Sequence, residues 1–225
     1  IGNHLIADHP EIAKHLATRR STGAITMIPY GANAVDSASI ESLQDLNLEP
    51  KQYALCVARI EPENSILEIV RSFSTKKRNK QLVVLGAFDP EQNKYHASIQ
   101  VAAGDEVRFF GAMYDKEIVE SLRFHCVLYN HGHTVGGTNP SLVEALGAGS
   151  PVLAHDNCFN RWVAGTDAAY FWDDKTCCKQ LDQLLENSDI LARMGRGSKD
   201  RFSEVFRWEG VLEQYNELLV KVNGQ

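Results

Sequence analysis

The chain has 225 residues, of which 44% are hydrophobic and 23% charged, and a formal net charge of -6 at pH 7. It is long enough to bury a sizeable core, and its composition is ordinary for a globular protein. The acidic balance argues against non-specific nucleic-acid binding, which needs a basic footprint, and no apolar run reaches the roughly 20 residues that span a bilayer as a helix.

Leu5–Ala7 reads as a short strand, Pro10–Arg20 as a helix with Pro in its first turn, and Ile25–Ile28 as another strand, broken at Pro29-Tyr-Gly31. This opening has no initiator Met and no signal peptide, and it suggests a fragment lacking an upstream domain. A polar stretch follows to Pro50. Strands are then expected at Tyr53–Ala58, Gln81–Leu85, Val107–Phe110 and His125–Tyr129. Helices are expected between them over Asn64–Phe73, Pro90–Val101 and Lys116–Leu122. A loop bearing Gly132, Gly136 and Gly137 leads into a helix opened by Asn139-Pro-Ser and stopped at Gly147 and Gly149. Pro151–Ala154 and Ala169–Trp172 read as strands, and Lys175–Glu186, Ile190–Phe206 and Trp208–Val222 as helices.

Apolar strands alternating with amphipathic helices predict an α/β protein with a Rossmann-like, doubly wound parallel sheet covered on both faces. In such sheets the ligand crevice lies at the carboxyl ends of the strands. Those ends carry Arg59, Gly86, Gly111 and the glycine loop. The five cysteines include no CxxC spacing and read as buried free thiols of a reducing cytosol.

Strand, glycine loop and helix N-terminus together form an anion site, because free amides and the helix dipole converge there. Thr134, Thr138, Asn139 and Ser141 surround that loop; Thr138 or Asn139 also suits an N-cap. Arg59, directly after an apolar strand, suits a bidentate grip on a diphosphate, or else a surface ion pair with Glu61 or Glu63. Glu144, among buried neighbours, needs donors that ligand hydroxyls supply; the alternative is a helix-surface acid. His131 and His133 suit sugar or phosphate contacts, or core packing. A metal reading lacks a third and fourth ligand of convincing spacing, so none is expected. Trp208 reads as packing.

These residues together resemble the C-terminal, nucleotide-sugar-binding half of a GT-B glycosyltransferase of the retaining family-4 type. The resemblance rests on the hinge Pro29-Tyr-Gly31-Ala, on Val57-Ala-Arg-Ile-Glu-Pro-Glu63, on Gly136–Val152 and on the Trp208-led helix. The wording ARIEPEN and GHTVGGTNPSLVEALGAGSPV is similar to bacterial rhamnosyltransferases that use dTDP-L-rhamnose in polysaccharide biosynthesis. The resemblance implies three parts: residues 1–30 as the tail of a missing N-terminal acceptor domain, 31–206 as the donor-binding domain, and 207–225 as a crossover helix.

It further implies transfer of a hexosyl group, rhamnosyl in the narrower match, from a nucleotide diphosphate sugar to a saccharide or lipid-linked saccharide held by the missing domain. No cofactor other than that donor substrate is implied. Arg59 and Glu144 are the implied catalytic residues. The implied substrate-binding residues are Asn64, Ala112, Met113, His133, Gly136, Gly137, Thr138, Asn139, Pro140 and Ser141, with Ala112 and Met113 at the base. Two positions depart from the family pattern: its usual Lys falls on Asn64 and its first motif Glu on Gly136. The implied location is cytoplasmic, with peripheral membrane contact open for the full-length protein. Two other readings stay open: a catalytically silent binding or scaffold module, and a non-hydrolysing sugar-nucleotide epimerase.

Overall fold

The computed structural model describes residues 4–19 and 24–223. Arg20, the expected end of the first helix, lies outside them. β1 (Leu5–Ala7), α1 (Pro10–Ala17) and β2 (Ile25–Met27) form a small unit in which the two strands pair in parallel. α2 (Glu41–Asp45) then precedes the main sheet. That sheet is built from β3 (Tyr53–Val57), β4 (Gln81–Leu85), β5 (Val107–Phe109), β6 (Leu128–His131), β7 (Val152–His155) and β8 (Ala169–Phe171). The helices between the strands are α3 (Ile66–Phe73), α4 (Lys94–Ala102), α5 (Lys116–His125), α6 (Pro140–Gly147) and α7 (Cys158–Ala164). The chain closes with α8 (Asp174–Leu185), α9 (Ser188–Val205) and α10 (Trp208–Asn223).

All pairings in the six-stranded sheet are parallel, in the order β5-β4-β3-β6-β7-β8. The chain lays down β3, β4 and β5 outward, then returns to place β6 on the other side of β3. That reversal opens a crevice between the carboxyl ends of β3 and β6. Alternation along each strand divides the core in two. Tyr53, Leu55, Val83, Leu85 and Tyr129 face one layer with α5, α6 and α7, whereas Ala54, Cys56, Leu82, Val84 and Leu128 face the other with α3 and α8.

Several boundaries differ from expectation, each for a local reason. α4 starts at Lys94, not Pro90, because Asn93 caps it by accepting the N–H groups of Tyr95 and His96. The expected helix from Asn64 is interrupted: a 3-10 turn at Pro62–Asn64 is followed by Ser65 at φ 48°, and only then by α3. α5 runs on to His125, which pushes β6 to Leu128–His131 and puts the polar Asn130 and His131 inside the sheet. α2 and α7 were not expected; α7 is opened by Asn157, which accepts the N–H of Asn160. All five cysteines are free, but Cys158 at the start of α7 is exposed and Cys178 is half-buried; only Cys56, Cys126 and Cys177 are buried.

At the other end of the chain, the Ala32 N–H donates to the Phe206 carbonyl at 2.9 Å. The Trp208 indole lies against Gly31. Ile28, Val211 and Leu218 form a small separate core that joins α10 to the end of β2.

Candidate functional site

A cleft of about 610 Å³ opens at the β3–β6 reversal, within the size range of small-ligand pockets. Its lining brings together Arg59, Asn64, Ala112, Met113, His133, Asn139, Pro140, Ser141 and Glu144. It also includes His131, read from the sequence as a sugar or phosphate contact or else as core packing, and Arg123, which the sequence did not single out. Gly136, Gly137 and Thr138 do not line it. A second hollow of about 700 Å³ lies beside the edge strand β8, around Tyr170, Trp172 and Arg193, and shares no lining residue with the cleft.

Arg59 follows β3 on a loop held from below. His96 accepts the Asp89 N–H at Nδ1, so its Nε2–H donates to the Ile60 carbonyl at 2.7 Å. The Arg59 side chain itself is 81% exposed, and its one ion pair among the described residues, with Glu63, is loose at 3.8 Å. Such a guanidinium is free to turn toward an anion.

Asn64 is buried and fully used. Its Nδ2 donates to the Arg59 carbonyl at 2.8 Å, and its Oδ1 accepts from His133 Nδ1 at 2.7 Å. The second bond fixes the His133 tautomer and leaves Nε2 as an acceptor. The His133 carbonyl is held in turn by Asn157 and Asn160. Burial lowers the pKa of His133, against the nearby Glu63 that raises it. His131, wholly buried at the end of β6, is pushed down to about 3, by burial first and then by His133. Both rings are therefore neutral near pH 7. His131 Nε2 has no hydrogen-bond partner among the described residues.

α6 starts where expected. Asn139 is its N-cap, accepting the Ser141 N–H at 3.0 Å, and Pro140 sits in its first turn, where no N–H is missed. The Ser141 hydroxyl is engaged by the protein: it lies 2.6 Å from Tyr129 Oη, donates to the Val57 carbonyl at 3.2 Å and accepts from Arg123 Nη2. Glu144, one turn on, is half-exposed and forms an ion pair with Arg123 at 2.6 Å.

The glycine loop departs from the expectation of an open phosphate cradle. The Thr138 N–H donates to Asp8 Oδ2 at 3.1 Å, and the Thr138 hydroxyl donates to the Asp8 carbonyl. A carboxylate from the β1–α1 turn thus takes the amide expected for a phosphate. A Cβ at Gly137 would lie 2.5 Å from the same carboxylate, so only glycine admits Asp8 here. Gly136 has φ 101°, a conformation that L residues rarely adopt, so the glutamate that the family resemblance places at this position would be strained here. Among the described residues no three His, Cys, Asp or Glu side chains gather as a metal site, and no helix is long and apolar enough to cross a membrane.

The six-stranded parallel sheet with its cleft at the strand reversal matches GT-B glycosyltransferase structures. Sucrose-phosphate synthase from Thermosynechococcus elongatus superposes with a TM-score of 0.78 at 18% identity, over 97% of this chain and 58% of that one. HepE from Anabaena, solved in complex with UDP and glucose, gives 0.85 at 15% identity, over 98% and 64%. A glycosyltransferase from Rickettsia africae gives 0.82 at 11% identity, over 96% and 62%. The chain therefore spans about three fifths of the length of these proteins, and at such identities the likeness establishes the fold. A search of the curated proteins finds no significant match. The family described as glycosyl transferases group 1 matches residues 39–201, and the chain belongs to that family.

Proposed function

We propose that this chain binds a nucleoside diphosphate sugar in the β3–β6 cleft as the donor-binding part of a retaining hexosyltransferase. The proposed donor is dTDP-L-rhamnose. The acceptor is a saccharide or lipid-linked saccharide of polysaccharide biosynthesis, held by a further domain. The observation that carries this reading is the lining of one cleft by an exposed guanidinium, Arg59, only loosely paired with Glu63, and a half-exposed carboxylate, Glu144. Membership of the glycosyl transferases group 1 family supports it, as does a UDP-bound neighbour of the same fold. The rhamnosyl assignment rests on the ARIEPEN and GHTVGGTNPSLVEALGAGSPV wording.

In the proposed reaction the anomeric C–O bond breaks, and its electron pair leaves on the terminal phosphate oxygen of the nucleoside diphosphate. The acceptor hydroxyl oxygen forms the new C–O bond, and its proton passes to the departing diphosphate oxygen. Arg59 stabilises the negative charge that develops on the leaving diphosphate. Glu144 accepts a hydroxyl of the donor ribose. His133 Nε2, left as an acceptor by the bond from Nδ1 to Asn64, receives a sugar hydroxyl. Ala112 and Met113 border the base. Because Asp8 occupies the Thr138 amide, the phosphate grip falls mainly on Arg59 and not on the glycine loop.

Calorimetric titration with dTDP, UDP and GDP tests the reading. Preference for dTDP supports the rhamnosyl donor. Preference for UDP or GDP keeps the transferase and discards rhamnose. If none binds at millimolar concentration, donor binding by this chain is rejected and a silent module takes its place.

A further inference from the structure

The hollow beside β8 shares no residue with the donor cleft and has a chemistry of its own. β8 is the last strand of the sheet, so its outer edge has no strand partner among the described residues. That edge opens into a space of about 700 Å³ lined by residues of α7, α8 and α9. The floor is apolar, with Leu184 and Met194 buried. Just beyond the strand, Trp172 is 62% exposed, a large apolar surface left in water. Tyr170 is held in place: its hydroxyl donates to the Gly165 carbonyl at 2.5 Å, and the Arg161 guanidinium lies 4.5 Å from its ring centre. The side chains of Gln180, Gln183 and Arg193 line the same space and make no hydrogen bond to other described residues. Asn187 uses only its Oδ1, which accepts the Ile190 N–H at the start of α9, so its amide donors are spare.

The charges of this lining cancel. Asp156 and Asp167 are balanced by Arg161 and Arg193, and Arg161 already clasps Asp156 through bonds of 2.5 and 2.8 Å. A phosphate or polyanion therefore meets no net positive field here. A neutral ligand rich in hydroxyls meets what it needs. Amide side chains offer donor and acceptor side by side, and the exposed indole offers a flat π face to the C–H side of a pyranose, whose hydrogens are drawn to it. An added peptide strand is the other occupant of a sheet edge. But β8 has only three residues, and the Trp172 N–H is taken by the Thr176 hydroxyl at 3.1 Å, so the ladder on offer is too short. We propose that the hollow is a second binding site of this chain, for a neutral pyranose oligosaccharide. Trp172 is its stacking platform, and Gln180, Gln183 and Asn187 bond the hydroxyls. The inference stands on this hollow alone and does not depend on the donor-binding reading.

The test is calorimetric titration of the chain with maltotetraose, cellotetraose, mannotetraose and a tetramer of α-linked rhamnose, and with tetragalacturonate as the anionic contrast. At least one neutral tetrasaccharide is expected to bind with a Kd of about a millimolar or tighter, and tetragalacturonate to bind more weakly. Trp172→Ala is expected to weaken the neutral ligand about tenfold or more, as truncation of an aromatic anchor does, and Trp172→Phe to keep most of the affinity. Gln183→Ala is expected to cost about threefold. Trp172 and Gln183 are both exposed, so neither change removes core packing. Excess dTDP is expected to leave the saccharide affinity unchanged, because hollow and cleft share no lining residue. No neutral tetrasaccharide binding at millimolar concentration overturns the proposal. Wild-type affinity retained in Trp172→Ala overturns it too, as does a preference for tetragalacturonate. Displacement of the saccharide by dTDP would put the sugar in the donor cleft and likewise overturn it. Failure of the chain to bind dTDP overturns the donor-binding reading and leaves this site standing.

Discussion

The carboxylate of Asp8 lies 3.1 Å from the backbone nitrogen of Thr138, across 130 residues of chain. The first parallel unit is thereby fastened to the loop at the N-terminus of α6, and the Gly137–Thr138 backbone is occupied by a protein anion. Asp8→Ala removes a charge-assisted hydrogen bond and is expected to destabilise the fold by about 1–3 kcal/mol in chemical denaturation. Asp8→Asn keeps an acceptor for the Thr138 N–H while removing the negative charge. It is expected to stay near wild-type stability and to bind a nucleoside diphosphate several-fold more tightly in calorimetry. Unchanged or weaker binding by a folded Asp8→Asn would show that the loop lies away from the phosphates.

Asn64 stands where the family pattern carries lysine, yet its amide holds both the Arg59 carbonyl and the His133 ring. Asn64→Ala leaves two part-buried partners, the Arg59 carbonyl and the His133 ring, without their bonds and is expected to cost about 1–3 kcal/mol. Asn64→Lys does not rebuild a phosphate grip. It brings a cation to a 5% exposed site and breaks the bond that fixes His133, so donor affinity should fall rather than rise when measured by titration. A gain in affinity for Asn64→Lys would contradict this account of the site.

Gly136 holds φ 101°. Restoring the family's glutamate with Gly136→Glu forces a side chain into a disfavoured backbone region, at about 1–3 kcal/mol. The expected result is a lower thermal midpoint with no gain in donor binding. A variant as stable as wild type would mean that the loop relaxes freely around this residue.

The buried histidines set a pH dependence. His131 is pushed down to about 3 from an ordinary 6.5, chiefly by burial, so the unfolded chain binds the extra proton between those values. Stability from this group is complete above about pH 6.5 and is lost as pH falls toward about 3. Between pH 6.5 and 5 the loss from His131 is about 2 kcal/mol. His9, His133 and His155 are shifted in the same direction, each mainly by burial. Denaturation curves at pH 7 and pH 5 should show the fall, and His131→Phe should flatten it. An equal slope in that variant would assign the effect elsewhere.

Much of the sheet was legible because β3 and β4 are buried on both faces and read as unbroken apolar runs. The Asn139-Pro-Ser opening of α6 was legible for a chemical reason, since cap and first-turn proline each have one physical role. β6 was read too early because its last two residues, Asn130 and His131, are polar yet buried, and an apolar pattern does not extend over them. Arg123 follows Leu122 on an otherwise polar-looking turn, and only the packing of α5 against α6 shows that it is inside. Asp8 carried no sequence signal for the site at all, since its partner is 130 residues away. Cys158, read as buried, is exposed because α7, unrecognised in the sequence, starts at that residue.

The most direct test of the central claim is the affinity of the chain for dTDP before and after Arg59→Ala and Glu144→Ala. The Arg59 side chain is 81% exposed and can be truncated without loss of fold; Glu144→Ala leaves the buried Arg123 without its carboxylate, so circular dichroism must show that this variant is folded before its affinity is read. The account predicts a measurable wild-type Kd and a fall of about tenfold or more in each variant. Wild-type affinity retained in both variants would place the nucleotide elsewhere and contradict the assignment of the β3–β6 cleft as the donor site.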